Sequence, residues 1–195
     1  MKRYTHTGHR RIVVVNADDF GASHQTNCAI LQAFEKSLIS STTVMANMPA
    51  FEEACHLARQ QHLERSVGLH LNLTQGKPLT DRIATCRTLC DGDGCFRPPR
   101  TVLWLSANEV LALEAEIVAQ VLACERQGIT PTHWDSHNHI HTQFGIATVV
   151  IRMAKRFGVR AIRLDRNCGP VREGASAIRR GLAPAYRNAR NVRLR

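Results

Sequence analysis

The sequence predicts an α/β protein with a parallel sheet, and three observations carry that prediction. Ile12-Val13-Val14-Val15 is a continuous β-branched run, the pattern of a strand buried on both faces. Segments of helical periodicity alternate with such short apolar runs along most of the chain. Polar residues rich in Asp, His and Asn gather where the apolar runs end, and α/β proteins place their ligand chemistry at the C-terminal ends of strands.

The first strand is expected over 12–15, ending in Asn16-Ala17-Asp18-Asp19-Phe20-Gly21. Over 24–36 the apolar positions Cys28, Ile30, Leu31 and Phe34 recur at helical spacing, with Ser23 or Thr26 able to cap the first turn. A second strand follows over 42–46, a second helix over 50–61, and a third strand over 66–72, with Gly68 and Gly76 beside it. The stretch 80–99 holds Asp91-Gly92-Asp93-Gly94 and Pro98-Pro99, shows no sustained period, and reads as an inserted loop or small hairpin over the sheet's edge. Ser106-Ala107-Asn108-Glu109 is a capping box that opens a long helix to about residue 127, stopped by Gly128. A strand and its loop over 132–141, a helix over 147–157 and a fifth strand over 160–164 complete the alternation. Either a doubly wound sheet or a barrel satisfies this order.

The 195 residues, 44% of them hydrophobic, suit one domain over 1–195. The net charge of +10 favours anionic ligands, nucleic acid or lipid without choosing among them. Seven cysteines, an odd number, predict reduced thiols and a cytoplasmic location. Cys86, Cys90 and Cys95 lack the spacing of a zinc ribbon and are expected as free thiols in a surface excursion. No apolar run approaches the ~20 residues that cross a bilayer, and Met1-Lys2-Arg3 leads into a strand rather than a signal-peptide core, so no membrane partner is expected. The segment 171–195 carries seven Arg against one Glu. An arginine-rich segment can bind nucleic acid through phosphates, but no aromatic platform or reader motif accompanies it.

Three polar groups fall at predicted strand ends: Asp18-Asp19, the row His70, Asn72 and Thr74, and the row His133, Asp135, His137, His139 and His141. Strand alternation puts each row on one side. One Asp oxygen and two neutral imidazoles form an open site for a divalent metal that holds a reactive water. Two adjacent carboxylates repel unless a cation neutralises them, and one can then act as a base. Blander readings exist for each part: a capping turn for the Asp pair, a hydrogen-bonded core histidine for His70, and a loose metal-binding tract for the later histidines. None explains why all three segments end strands in one α/β order.

Asn16-Ala17-Asp18-Asp19-Phe20-Gly21, Ser41-Thr42-Thr43, Gly68-Leu69-His70-Leu71-Asn72-Leu73-Thr74 and Pro131-Thr132-His133-Trp134-Asp135-Ser136-His137-Asn138-His139-Ile140-His141 resemble the YdjC-type carbohydrate deacetylases. That family includes chitooligosaccharide deacetylase and hopanoid-associated relatives. The resemblance implies a distorted (β/α) barrel of the polysaccharide-deacetylase-like type and a divalent metal, magnesium first and zinc as the alternative. It implies Asp19, His70 and His137 as metal ligands and Asp18 as general base, with an N-acetylated sugar or oligosaccharide as substrate. Asn72, Asp135, His139 and His141 are the expected substrate-side residues, Asp135 also as the orienter of a histidine and His141 as the proton donor to the leaving amine.

Members of that family continue beyond this length and add a later histidine. An incomplete barrel is therefore expected, either as a catalytically weak metal-binding fragment or completed by a homo-oligomer. Phosphoester hydrolysis is the other chemistry that such a carboxylate and histidine cluster serves.

Overall fold

The structure, a computed structural model, describes residues 13–164. The Arg-rich segment 171–195, and with it the nucleic-acid alternative, lies outside the described residues. Four parallel strands, β1 (Asn16–Phe20), β2 (Ser41–Val44), β3 (Val67–Leu71) and β4 (Trp134–Ser136), pair in the sequential order β1-β2-β3-β4. A doubly wound sheet reverses its strand order at a switch point, whereas sequential parallel pairing is the arc of a (β/α) barrel.

Five helices connect or flank these strands: α1 (His24–Glu35), α2 (Phe51–Gln60), α3 (Asp81–Ala84), α4 (Ala107–Arg126) and α5 (Phe144–Arg156). Ser23 caps α1 by accepting from the Thr26 N–H, and the Ser106–Glu109 capping box opens α4 as the sequence predicts. Gly128 takes φ +75 just past α4, the left-handed conformation that glycine adopts at least cost. Leu69 and Leu71 of β3 and Trp134 of β4 are buried in the apolar core together with Leu113 and Ile117 of α4. By alternation, Thr43, His70 and Asp135 occupy the opposite face of the sheet.

Several expectations need correction. The valine run is not the first strand. Val13, Val14 and Val15 are 77%, 68% and 47% exposed, and pairing with β2 begins only at Asn16↔Ser41. An apolar run shows a preference for burial, but among the described residues only Val15 is tied to the neighbouring segment, its carbonyl accepting from the Ser40 and Ser41 N–H groups at 2.9 and 3.2 Å, and its side chain stays exposed.

The 80–99 segment is not a surface excursion. It contains α3 and an antiparallel bridge between Cys90 and Phe96, and it buries Ile83, Cys86, Leu89, Cys90 and Phe96 in the core beside α4. Burial pushes the Cys90 thiol up to about 12, so this cysteine behaves as an apolar core residue.

Strand β4 stops at Ser136. His137–Thr142 forms 3-10 turns in which Asn138 and His139 have φ +54, so the predicted single row of histidines breaks after His137. Helix α5 starts at Phe144, three residues before the predicted start. The fifth strand is present as one parallel bridge, Trp134↔Ile162, with the Arg163 N–H donating to the Trp134 carbonyl at 2.9 Å.

Between the sheet and the 80–99 segment, the buried Glu116 carboxyl of α4 accepts from the Leu79 and Thr80 backbone N–H groups, the Thr80 hydroxyl and the Gln120 amide. Every neighbour is a donor, so Glu116→Gln places an NH2 group among donors. The expected cost is about 1–3 kcal/mol, read as a lower urea midpoint at unchanged slope. An unchanged midpoint would show that these bonds contribute nothing net.

Candidate functional site

Strand β1 carries a bulge that the sequence does not announce. Ala17 pairs with Thr42 and Phe20 with Val44, so three steps on β1 oppose two on β2, and Asp19 takes φ +67. In a regular strand Asp18 and Asp19 would point to opposite faces. The extra residue and the left-handed turn re-aim them so that both carboxylates reach one site.

Asp19 Oδ1 lies 3.0 Å from His70 Nε2 and 2.8 Å from His137 Nδ1. The outer nitrogen of His70, Nδ1, is 2.6 Å from Asp135 Oδ1, its cross-strand neighbour. Thr43 Oγ1 donates to Asp135 Oδ2 at 3.2 Å. The other aspartate, Asp18, is gripped by a residue absent from the sequence reading. Arg163 Nη1 and Nη2 donate to Asp18 Oδ2 and Oδ1 at 2.7 and 2.6 Å, and Nη2 also lies 2.8 Å from Asp135 Oδ2. Asn16 Nδ2 donates to Asp18 Oδ1 at 2.8 Å.

The electrostatics follow from these contacts. Hydrogen bonds from His137 and His70 hold the Asp19 carboxyl far below the usual carboxylate range, outweighing its partial burial. Burial opposes charge on His70, but its bonds to Asp135 and Asp19 prevail and push it up to about 9. Burial likewise raises Asp18, and the bonds from Arg163 and Asn16 overcome this and leave it below its ordinary value.

An imidazole set between two carboxylates calls for a cation at that point, and a divalent ion meets the demand as well as a proton does. Asp19, His70 and His137 each turn one ligand atom toward the others, all within 4.8 Å. With its Nδ1 proton directed at Asp135, His70 keeps Nε2 for the ion, as carboxylate–histidine–metal triads do. A second group of candidate ligands, Asp18, His70 and Asp135, already has its cation, because the Arg163 guanidinium touches both carboxylates. The residues therefore fit a divalent metal, and they fit it at the Asp19 group.

The remaining predicted residues are placed differently. Asp135 stands behind His70, buried in the sheet. The buried Asn72 accepts from the Thr74 and Gln75 N–H groups and donates to Asn47 and the Gln75 carbonyl, so its amide builds the turn after β3. His141 is buried with one ring nitrogen on Ser136 Oγ and the other 2.9 Å from the Arg163 carbonyl, so it ties the fifth segment to β4. His139 is exposed in its left-handed turn.

Residues 12–194 match the family described as YdjC-like protein. The chain belongs to the YdjC-like family. This YdjC-like chain is 40% identical over 158 residues to the carbohydrate deacetylase of Geobacillus stearothermophilus, covering 80% of this chain and 62% of that protein. It is 39% identical to the carbohydrate deacetylase of Halalkalibacterium halodurans, over 74% of this chain and 60% of that one. It is 36% identical to the chitooligosaccharide deacetylase of Salmonella typhimurium, over 80% of this chain and 60% of that protein. The chain thus spans 60–62% of the length of these curated relatives.

Among solved structures, an Enterococcus faecalis V583 protein assigned provisionally to cellobiose-phosphate cleavage superposes with a TM-score of 0.66 at 25% identity, over 90% of this chain and 64% of that one. No helix of the described residues is long and apolar enough to cross a membrane.

Proposed function

We propose that this chain carries the catalytic centre of a metal-dependent carbohydrate deacetylase that removes an N-acetyl group from a sugar or oligosaccharide. The observation that carries the reading is the convergence of Asp19, His70 and His137 on one point, with Asp18 beside it as a separately held carboxylate. The deacetylase names of the relatives support the substrate class.

Asp19, His70 and His137 would hold the ion. When bound, it supplies Lewis-acid polarisation of the acetyl carbonyl and lowers the pKa of water. Two imidazoles and one carboxylate are the donor set of zinc more than of magnesium, which prefers oxygen ligands throughout.

Asp18 takes the proton of the attacking water as the carbonyl carbon becomes tetrahedral. Its oxygens accept from Arg163 and Asn16 and still offer further lone pairs, so the bonds orient the carboxylate, at some cost in basicity, and leave a lone pair to receive the proton. Arg163 spans Asp18 and Asp135 and so locks the base to the residue that orients His70. The C–N bond then breaks as the proton held on Asp18 passes to the leaving nitrogen, which leaves acetate and a free amine and restores the Asp18 carboxylate.

The test is acetate release from N,N'-diacetylchitobiose by the chain as given, with zinc or magnesium and with chelator. Metal-restored, chelator-sensitive release supports the reading. Tight metal binding without release on any N-acetylated sugar would reduce the chain to a metal-binding portion of a larger site, and cleavage of an aryl phosphate instead would reassign the chemistry.

A further inference from the structure

Adjoining the ligand cluster, and meeting it through Asn16, is a second polar group made of Asn16, Ser41, Thr132 and His133. Ser41 Oγ donates to Asn16 Oδ1 at 2.7 Å. His133 Nε2 lies 3.3 Å from that Ser41 oxygen and 3.3 Å from that Asn16 oxygen. His133 Nδ1 is 2.9 Å from Thr132 Oγ1. On its far side, Asn16 Nδ2 donates to Asp18 Oδ1 and, at 3.2 Å, to Thr43 Oγ1.

Counting protons fixes the arrangement. Ser41 has one hydroxyl proton and directs it at Asn16. With its own proton on Nδ1, His133 would turn a bare Nε2 lone pair toward two oxygens that have no proton left to give. With the proton on Nε2, the ring donates to those oxygens and Nδ1 accepts from the Thr132 hydroxyl. The Thr132 hydroxyl, 3.1 Å from the Val67 carbonyl and able to donate there instead, then turns to Nδ1, and that carbonyl still receives the Thr132 backbone N–H at 3.0 Å.

Turning the Asn16 amide round instead would set its oxygen 2.8 Å from an Asp18 carboxylate oxygen, two acceptors with no proton between them. The seat of His133 is equally constrained. A Cβ on Gly68 would stand 2.5 Å from the His133 carbonyl oxygen and 2.6 Å from its ring Cε1, so the ring lies against bare backbone that only glycine provides.

We propose that His133, as the neutral Nε2–H tautomer, is a positioning residue for Asp18, acting by fixing the Asn16 amide with its NH2 group toward that carboxylate. The proposal rests on the reading of Asp18 as the base. Ser41 acts with His133 on the same Asn16 oxygen, and Gly68 makes room for the His133 ring.

Two readouts test it, one independent of turnover. Long-range proton–nitrogen NMR correlation distinguishes histidine tautomers, and the His133 signal, assigned by its loss in His133→Gln, is expected to show the proton on Nε2. A proton on Nδ1 overturns the proposal.

The second readout exploits side-chain geometry. A Gln amide nitrogen falls where Nε2 was, and an Asn amide nitrogen where Nδ1 was. His133→Gln keeps a donor to Asn16, while His133→Asn keeps only the partner at Thr132. A loss of geometry at the base predicts kcat lower by about tenfold or more in His133→Asn at little-changed KM, with His133→Gln within about threefold of wild type. Equal losses in the two variants, or an unchanged kcat in His133→Asn, overturn the proposal. If the wild-type chain releases no acetate, the deacetylase reading fails and the NMR result alone decides the tautomer on which the proposal stands.

Discussion

Asp18→Asn is expected to lower acetate release by about 10²–10⁴-fold, the usual contribution of a positioned general base. The change is isosteric, and it replaces a carboxylate by an amide with no basic lone pair. The new NH2 group must face Arg163 or Asn16, a local cost softened by the exposure of this side chain to solvent, and the fold is expected to stay intact. Arg163 keeps its contact with Asp135 at 2.8 Å, and Asp19, His70 and His137 do not touch the altered group. Metal content, measured on the purified variant, is therefore expected to stay at the wild-type level. A rate within about tenfold of wild type would remove Asp18 from the base role. A rate lost together with the metal would mean that Asp18 belongs to the ligand set.

The proposed division of work between Asp18 and Asp19 can be drawn from the sequence; how they come to share one site cannot. Two adjacent carboxylates after an apolar run call for a cation, and Asp19 with His70 and His137 is the place proposed for it. The bulge that turns both side chains to one side depends on the pairing of β1 with β2, where Ala17↔Thr42 is followed by Phe20↔Val44. No single strand's sequence records how many residues its neighbour will offer.

The same limit explains the valines at 13–15, whose composition signals a strand while the paired register begins at Asn16↔Ser41. Local signals fared better where the physics is local. The Ser106–Glu109 capping box and the stop at Gly128 lie where the chain alone puts them.

Arg163 was missed for another reason. It sits 145 residues from Asp18, among many arginines that the composition counts only as net charge. The sequence places Arg163 near the end of a fifth strand, where ligand-side residues fall, but its face follows only from the pairing of Ile162 with the core residue Trp134. Asking which cation neutralises the second aspartate would have led to it. The histidine row over 133–141 failed after Ser136 because alternation holds only while a strand lasts, and the left-handed Asn138 and His139 end it.

Asp19→Ala is expected to weaken zinc binding by more than about 100-fold, beyond the 10–100-fold that loss of an outer orienting group such as Asp135 costs. Asp19 Oδ1 is the atom that both imidazoles face, at 3.0 and 2.8 Å. Without it His70 and His137 remain as two nitrogens, short of the three protein ligands that an open catalytic zinc site needs. Equilibrium dialysis should rank the zinc affinities as wild type first, Asp135→Asn next and Asp19→Ala last. Undiminished binding in Asp19→Ala would shift the ion to the neighbouring group of Asp18, His70 and Asp135. That outcome carries its own check, because Arg163 occupies the second group: Arg163→Met would then strengthen metal binding, whereas with the ion at Asp19 it releases Asp18 and leaves the metal affinity nearly unchanged.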